Sequence, residues 1–262
     1  TDVKDFLPED LKLNGRTDLD LTTNFTVKQL MKSLDDYNFN RLKASATLKI
    51  KDFTFDMDTI HAISPMLNVG LTLPASAKQK NGKGVFITLN TSQLRAKMGK
   101  TLNANLINPN IRCSADNLKG GMEQLLLDAA LNFGRVDLGY ENTNVHMNNP
   151  VISFVTMPEK NSKILKARVT LNGKEIHANK GRDYVLNSNV LIVDATVNEN
   201  KNKTDFLNRW STSADFVLCK AVLKVKGLDE DLNISNIDFL FNFRELAFQK
   251  STFSIGWSDL TL

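Results

Sequence analysis

The sequence predicts an all-β protein, mostly antiparallel, built as an elongated, curved sheet or an open sandwich with an apolar inner face and one or two short helices. Two observations predict this class. Apolar and polar residues alternate over most of the 262 positions, and turn signals such as Asn172-Gly173 separate the alternating stretches. A third observation, an internal repeat, favours a sheet that grows by adding similar groups of strands along one axis.

The first alternating stretch is unusually long. Between Leu11 and Phe25 the odd positions are mostly apolar and the residues between them mostly polar. A long half-buried strand or a tight hairpin has this pattern.

The second stretch changes phase. Apolar residues occupy even positions from Leu42 to Ile50 and odd positions from Phe53 to Met57. Such a slip moves side chains to the opposite face unless one residue bulges out of the strand. The sequence therefore predicts a bulge or sharp bend at Lys51-Asp52.

Later stretches repeat the alternating pattern and are predicted strands. They span residues 67–73, 85–89, 94–98, 102–106, 151–155, 167–171, 185–197, 216–225 and 237–243.

One helix is predicted near the N-terminal end. Thr26 and Gln29 have capping-box spacing, and four apolar residues follow at i, i+3, i+4 and i+7. These residues are Val27, Leu30, Met31 and Leu34. The helix is amphipathic and could plug the end of a sheet. Residues 204–210 are a second candidate helix, and the apolar density of 122–133 suits either helix or buried strand.

The internal repeat has an offset of 82 residues. Thr88-Leu89-Asn90, Ala96 and Gly99 correspond to Thr170-Leu171-Asn172, Ala178 and Gly181. We interpret 1–262 as a single elongated β domain, with a possible subdivision near 117–150.

Charge and hydropathy exclude some classes of partner. The net charge of +4 is not concentrated in a block, so nucleic acid is not an expected partner. No apolar run approaches the roughly 18 residues of a membrane-spanning helix. The chain has no initiator Met and ends within an alternating pattern, so we expect it to be part of a longer protein whose anchor lies elsewhere.

Residues that commonly carry catalysis are few and scattered. His61, His146 and His177 lack metal-ligand spacing among themselves or with the cysteines. Cys113 and Cys219 lie on alternating stretches, which favours buried thiols, with one long-range disulfide as the alternative. The sequence therefore predicts a protein that is not an enzyme and that needs no metal or cofactor.

The C-terminal stretch carries a resemblance to a known family. Asn233 to Phe243, then Leu246-Ala247-Phe248, then Phe253 to Leu262 with its Ile-Gly-x-Ser-Asp-Leu turn, resemble the AsmA-like family of bacterial envelope proteins. Asp5-Phe6-Leu7-Pro8 and Phe53-Thr54-Phe55 are similar to the repeat of the same family. In architecture that family is related to TamB-like and other bridge-forming lipid transfer proteins.

The resemblance implies a location and a role. It implies a periplasmic, cell-envelope segment of a membrane-anchored parent, involved in outer-membrane maintenance or assembly. The implied partners are phospholipid or another acyl-chain lipid, bound or transported along an apolar groove, and the rest of the parent chain.

The groove is expected to use one phase of each strand. Its candidate residues are Leu13, Leu19, Leu21, Leu48, Ile50, Phe239, Phe241 and Phe243. Alternate Phe residues on one strand usually face a core, and a stacking platform for bases or sugars is the alternative. Two other functions stay open: a purely structural or assembly β module, and a secreted carbohydrate-binding β-sandwich.

Overall fold

A computed structural model describes residues 11–74, 84–120, 123–160, 162–200, 210–229, 231–244 and 252–261, without the side chains of 120, 200, 210, 234–244 and 252–261. Nearly all regular structure in these residues is β-strand. The elements are β1 (Lys12–Thr23), α1 (Val27–Asp36), β2 (Ala44–Met57), β3 (Ile60–Leu73), β4 (Val85–Asn90), β5 (Gln93–Met98), β6 (Leu102–Ile107), β7 (Asn110–Asp116), β8 (Leu126–Asn132), β9 (Arg135–Tyr140), β10 (Thr143–Thr156), β11 (Ile164–Lys180), β12 (Tyr184–Asn200), β13 (Trp210–Val225), β14 (Leu232–Arg244) and β15 (Thr252–Thr261). A 3-10 turn covers Leu118–Gly120.

The strands form one antiparallel, curved and open sheet, as the sequence predicts. Its 15 strands fill twelve positions, because β4 and β5 lie end to end in one position, as do β7 and β6, and β8 and β9. Strands β1, β2 and β3 lie on one side of these divided positions, and β10 to β15 follow on the other side in chain order. The segment 117–150 supplies β8, β9 and part of β10 to the same sheet.

The two ends of the sheet differ in their connections. Tight turns at residues 58–59, 99–101, 141–142 and 181–183, together with the connection 226–231, lie at one end, the turn end. The longer connections 24–43, 74–84, 117–125 and 157–163 all leave the opposite, loop end. The sheet therefore has one compact rim and one rim with long connections.

A line of bulges and breaks, which we call the crease, crosses the sheet perpendicular to the strands. Its positions lie opposite one another on successive strands from β1 to β13. They are Gly15, Asp52, Pro65, Thr91-Ser92, Asn108-Pro109, Phe133-Gly134, Asn149-Pro150, Gly173 to Glu175, Ser188-Asn189 and Lys220. The crease divides the sheet into a loop wing and a turn wing, named for the ends they approach.

Residues in the left-handed conformation make many of these bulges. Asp52, Asn108, Asn149, Glu175 and Lys220 have φ between 47° and 54°. A residue of this kind adds one position to its strand, which shifts the alternation by one. Apolar residues can therefore stay on one face, the inner face, on both wings.

The predicted bulge in β2 is confirmed. Asp52 has φ 54°, and Asp52 and Phe53 together lie opposite Gly15. The phase slip in the sequence of β2 marks the position at which this strand crosses the crease.

Burial shows which way the sheet folds at the crease. Side chains that face inward there are buried although the wings beside them are half exposed; examples are Leu67 and Ile176, with 6% and 5% of their surface exposed. Residues on the outside of the crease, such as Asn149 and Lys220, are exposed. Since the inner side is covered and the outer side is open, the wings incline toward each other over the inner face. The sheet is a trough.

The predicted helix is present, but it does not pack as expected. Thr26 and Gln29 form the capping box, with the Gln29 amide N donating to Thr26 Oγ1 at 3.2 Å. Ser33 is the buried residue of α1, whereas Val27 is 76% exposed and Met31 and Leu34 are also exposed. Within the described residues, α1 therefore does not plug the sheet with its apolar side.

The remaining predictions have mixed outcomes. The first stretch is one long strand, β1, and the ambiguous segment 122–133 supplies strand β8. The second candidate helix lies outside the described residues except for Trp210, which begins β13.

The internal repeat has a structural meaning. Leu89 and Leu171 occupy equivalent positions on the loop wing, and Ala96 and Ala178 occupy equivalent positions on the turn wing. Gly99 and Gly181 both lie in turns at the turn end, with φ 58° and 59°. The repeat matches because each copy crosses the same crease in the same direction.

Candidate functional site

The inner face is the most extensive apolar surface in the described structure. Directly paired residues on successive strands form rows, and residues that oppose each other on antiparallel strands share a face. The first row on the loop wing consists of Leu19, Leu48, Val69, Leu89, Ile111, Leu131, Ile152, Leu171, Val193 and Phe216. The next row consists of Leu21, Ala46, Leu71, Ile87, Cys113, Ala129, Phe154, Val169, Ala195 and Ala214.

The turn wing carries a matching row. It consists of Leu13, Phe55, Ala62, Ala96, Ala104, Leu138, Val145, Ala178, Leu186, Leu223 and Leu232. No charged residue interrupts any of these three rows. The arrangement suits a ligand that is itself apolar and extended.

Most predicted groove residues share the inner face. Leu13, Leu19, Leu21 and Leu48 are members of the rows above, and Ile50 lies opposite Thr17 beside them. In β14, Phe239, Phe241 and Phe243 pair with Phe216, Ala214 and Thr212, and their side chains lie outside the described residues.

Much of the inner face is half exposed. In the described part of the chain, substantial contacts between elements join only hydrogen-bonded neighbouring strands, and the row residues between the edge strands are mostly half-buried. At the edge, Leu19 is 61% exposed and Leu13 and Leu21 are also exposed. The accessible surface of 17115 Å² exceeds the roughly 11,500 Å² expected for a compact protein of 29.3 kDa.

The crease forms a tightly packed floor for the trough. A Cβ added to the buried Gly173 would lie 2.1 Å from Met147 Sδ, so Met147 occupies the space above this glycine. Hydroxyl side chains form hydrogen bonds at the crease, where the backbone hydrogen bonding between strands is interrupted. Ser64 Oγ and Thr91 Oγ1 lie 2.8 Å apart, and Ser188 Oγ donates to the Cys219 carbonyl at 2.9 Å. These bonds satisfy buried polar groups that would otherwise be costly.

The outer face is mostly polar, and many of its side chains bond to one another across strands. Asn68, Asn90, Asn110 and Asn132 lie opposite one another on four neighbouring strands beside the crease. Asn68 Nδ2 donates to Asn90 Oδ1 at 3.2 Å. Polar side chains on the outer face can therefore form hydrogen bonds with one another and with water.

A second polar row on the outer face centres on Asp137. His146 Nδ1 lies 2.6 Å from Asp137 Oδ1, and Asn105 Nδ2 and Arg135 Nε lie 3.0 and 3.1 Å from Oδ2. Burial raises the pKa of the Asp137 carboxyl, but the bonds from His146 and Asn105 and the charge of Arg135 outweigh it, so the pKa lies below its ordinary value. Asp137 is therefore a fixed carboxylate acceptor.

The cysteines do not approach each other. Cys113 on β7 and Cys219 on β13 are half-buried and have four strands between them. Five strand spacings are about 24 Å, far beyond the Cα separation that a disulfide allows. Burial, helped by the charge of Asp128, raises the pKa of Cys113 above its ordinary value.

Within the described residues, no group of three or more His, Cys, Asp or Glu is arranged to hold a metal ion. The same part of the chain contains no helix with the length and hydropathy needed to cross a membrane.

Sequence reasoning missed several inner-face residues of the later strands. Val145, Leu186 and Leu223 belong to the turn-wing row, yet the alternation around them changes phase at the crease. The phase slip in β2 was the available signal, because the same slip recurs wherever a strand crosses the crease.

Comparisons with known proteins add no assignment. The chain matches no protein-family model, and neither a curated protein nor a solved structure is significantly similar to it.

Proposed function

We propose that the trough binds lipid acyl chains along its inner face, as part of a non-enzymatic cell-envelope protein that acts in outer-membrane maintenance or lipid transfer. The observation that carries this proposal is the set of three uninterrupted apolar rows. Acyl chains are the extended apolar ligands that such a surface fits, and covering it gains roughly 25 cal/mol per Å².

The dimensions support a lipid-sized ligand. On the loop wing each strand contributes six to eleven residues, which is about 20 to 36 Å at roughly 3.3 Å per residue. Half of a bilayer hydrocarbon core is about 15 Å thick. One wing is therefore long enough to cover an acyl chain that lies along the strands.

The arrangement of polar groups supports the same ligand. The inner rows offer no charged or amide side chain that could bind a headgroup, whereas polar side chains are concentrated on the outer face. A lipid would therefore hold its chains in the trough and leave its headgroup in water. The location in the envelope rests on the family resemblance.

Native mass spectrometry with organic extraction tests the proposal. The inner-face double variant Leu48→Asp/Leu171→Asp places two charges on the first loop-wing row. The control Thr47→Asp/Asn172→Asp adds the same two charges at neighbouring, exposed outer-face positions. We expect phospholipid to remain bound to the natural chain and to the control, and to be lost from the inner-face variant, with circular dichroism unchanged.

Two results would contradict lipid binding in the trough. One is an apo mass for the natural chain even after incubation with phospholipid vesicles, which would favour the structural module. The other is equal lipid occupancy in the two double variants, which would place the lipid elsewhere.

A further inference from the structure

Two histidines lie opposite each other on the outer face of the turn wing. His146 on β10 pairs directly with His177 on β11. Residues opposed in this way have Cβ atoms about 4.5 to 5.5 Å apart. The two imidazole rings are therefore close enough to bind one ion.

The hydrogen bonds of the two rings fix their tautomers. His146 Nδ1 lies 2.6 Å from Asp137 Oδ1, and His177 Nδ1 lies 2.6 Å from Asn187 Oδ1. Both oxygens accept, so each Nδ1 carries the hydrogen. In the neutral rings the lone pairs are then on the two Nε2 atoms.

The acceptors lie on opposite sides of the pair. Asp137 is on β9 and Asn187 is on β12, so each strand that flanks the pair supplies one acceptor. Metal-binding histidines commonly donate their second N–H to a carboxylate or carbonyl oxygen, which orients the ring. The bonds that Asn105 and Arg135 make to Asp137 hold this acceptor in place.

The space above the pair can accommodate an ion and its water. His146 and His177 line a depression of about 400 Å³, together with Asn103, Gly139 and Asn144; the carboxylate Asp137 and the basic residues Arg95 and Lys97 also line it. Gly139 has no side chain to fill the depression, and the neighbouring amides can bond to coordinated water.

We propose that His146 and His177 bind a divalent transition-metal ion through their Nε2 atoms, with Asp137 and Asn187 orienting the rings. The site has two protein ligands, and water completes the coordination. Imidazole suits copper, nickel and zinc, and the usual order of affinities places Cu²⁺ above Ni²⁺ and Ni²⁺ above Co²⁺. The proposal does not depend on lipid binding, because it concerns the opposite face.

A bound ion would join β10 to β11 on the turn wing. Because the ion would bind the folded chain, it should also raise the midpoint of thermal unfolding, by an amount that grows with the logarithm of its concentration above the Kd.

Calorimetric titration of the full chain with Ni²⁺, Cu²⁺ and Co²⁺ tests the site. We expect one site that His146→Gln and His177→Gln each abolish, and an affinity about 10- to 100-fold lower in Asp137→Asn. His61→Gln is the matched control, since the His61 ring also contacts a carboxylate, Asp56, but faces Lys97 on β5.

The contrary results are equally specific. Absence of binding to the natural chain, or unchanged binding in the double variant His146→Gln/His177→Gln, would overturn the proposal. Circular dichroism of the variants, whose substituted positions lie on the sheet surface, separates loss of ligands from loss of fold.

Discussion

The crease and the wings contain similar apolar residues on the inner face but differ in how deeply these side chains are buried. At the crease, inward side chains such as Leu67 and Met147 are buried by the inclination of the two wings. On the wings, the same kinds of residue stay half exposed or exposed. Among the described residues, four of the eight buried apolar residues lie at the crease, and the other four lie on the loop wing or in the connections at the loop end. Most of the inner face of the wings is therefore left half exposed or exposed.

The largest expected effect comes from truncating a crease residue. Leu67→Ala should lower the free energy of unfolding by about 2 to 5 kcal/mol, because it leaves a cavity in the floor. Leu21→Ala, on the exposed edge of the loop wing, should change it by no more than about 0.5 kcal/mol. Urea denaturation of both variants measures the difference, and equal losses would refute the distinction between crease and wings.

A smaller effect is expected from filling the close contact at Gly173. Gly173→Ala would place a Cβ 2.1 Å from Met147 Sδ and 2.7 Å from Met147 Cγ, which should cost about 1 to 3 kcal/mol. The same change at Gly134, also in the crease, has its nearest contact at 3.4 Å and should cost much less.

A double-mutant cycle would sharpen the Gly173 result. If Met147 is the source of the strain, Gly173→Ala combined with Met147→Ala should destabilise the protein by less than the sum of the single changes. Simple additivity would show that the strain lies elsewhere.

The left-handed bulges should tolerate glycine better than branched residues. Asn149 has φ 47° at the centre of the crease, so Asn149→Val should destabilise the protein by about 1 to 2 kcal/mol. Asn149→Gly keeps the backbone conformation accessible and should be close to neutral. Thermal unfolding of the pair distinguishes backbone strain from loss of the Asn side chain, since both variants lack it.

The smallest effect concerns an ion pair on the outer face of the loop wing. Arg168 Nε donates to Asp194 Oδ1 at 2.8 Å, and this pairing lowers the pKa of Asp194 against a smaller opposing effect of burial. A carboxyl group whose pKa is lowered by folding stabilises the folded protein at pH values above its pKa in the unfolded chain, which is near 3.9. That stabilisation is lost as the pH falls through its pKa in the folded protein.

Arg168→Gln should therefore reduce stability at pH 7 and have progressively less effect as the pH falls below about 4. Denaturation at several pH values measures this. An effect of the same size at all pH values would assign Arg168 a packing role instead.

Local patterns predicted much of the fold. Alternation predicted the strands, Thr26 and Gln29 predicted the start of α1, and the phase slip predicted the bulge at Asp52. Each of these depends on residues close together in the sequence.

Features that depend on pairing between distant strands could not be predicted. The alignment of the bulges into one crease requires the register of every strand, as does the juxtaposition of His146 and His177. The exposed side of α1 was also unpredictable, because amphipathic spacing identifies an apolar side but does not supply a surface for it. The repeat was visible in sequence, although its meaning became clear only from equivalent positions in the sheet.

The most direct test of the trough is cross-linking with a phospholipid that carries a photoactivatable group in its acyl chain, followed by peptide mass spectrometry. Acyl-chain binding predicts adducts at inner-face residues of the wings, such as Leu48, Leu89 and Leu171, and few at the outer-face residues Thr47 and Asn172. Adducts confined to the outer face or to α1 would contradict acyl-chain binding in the trough. The same would follow if this lipid formed no more inner-face adducts than a control lipid whose photoactivatable group is in the headgroup.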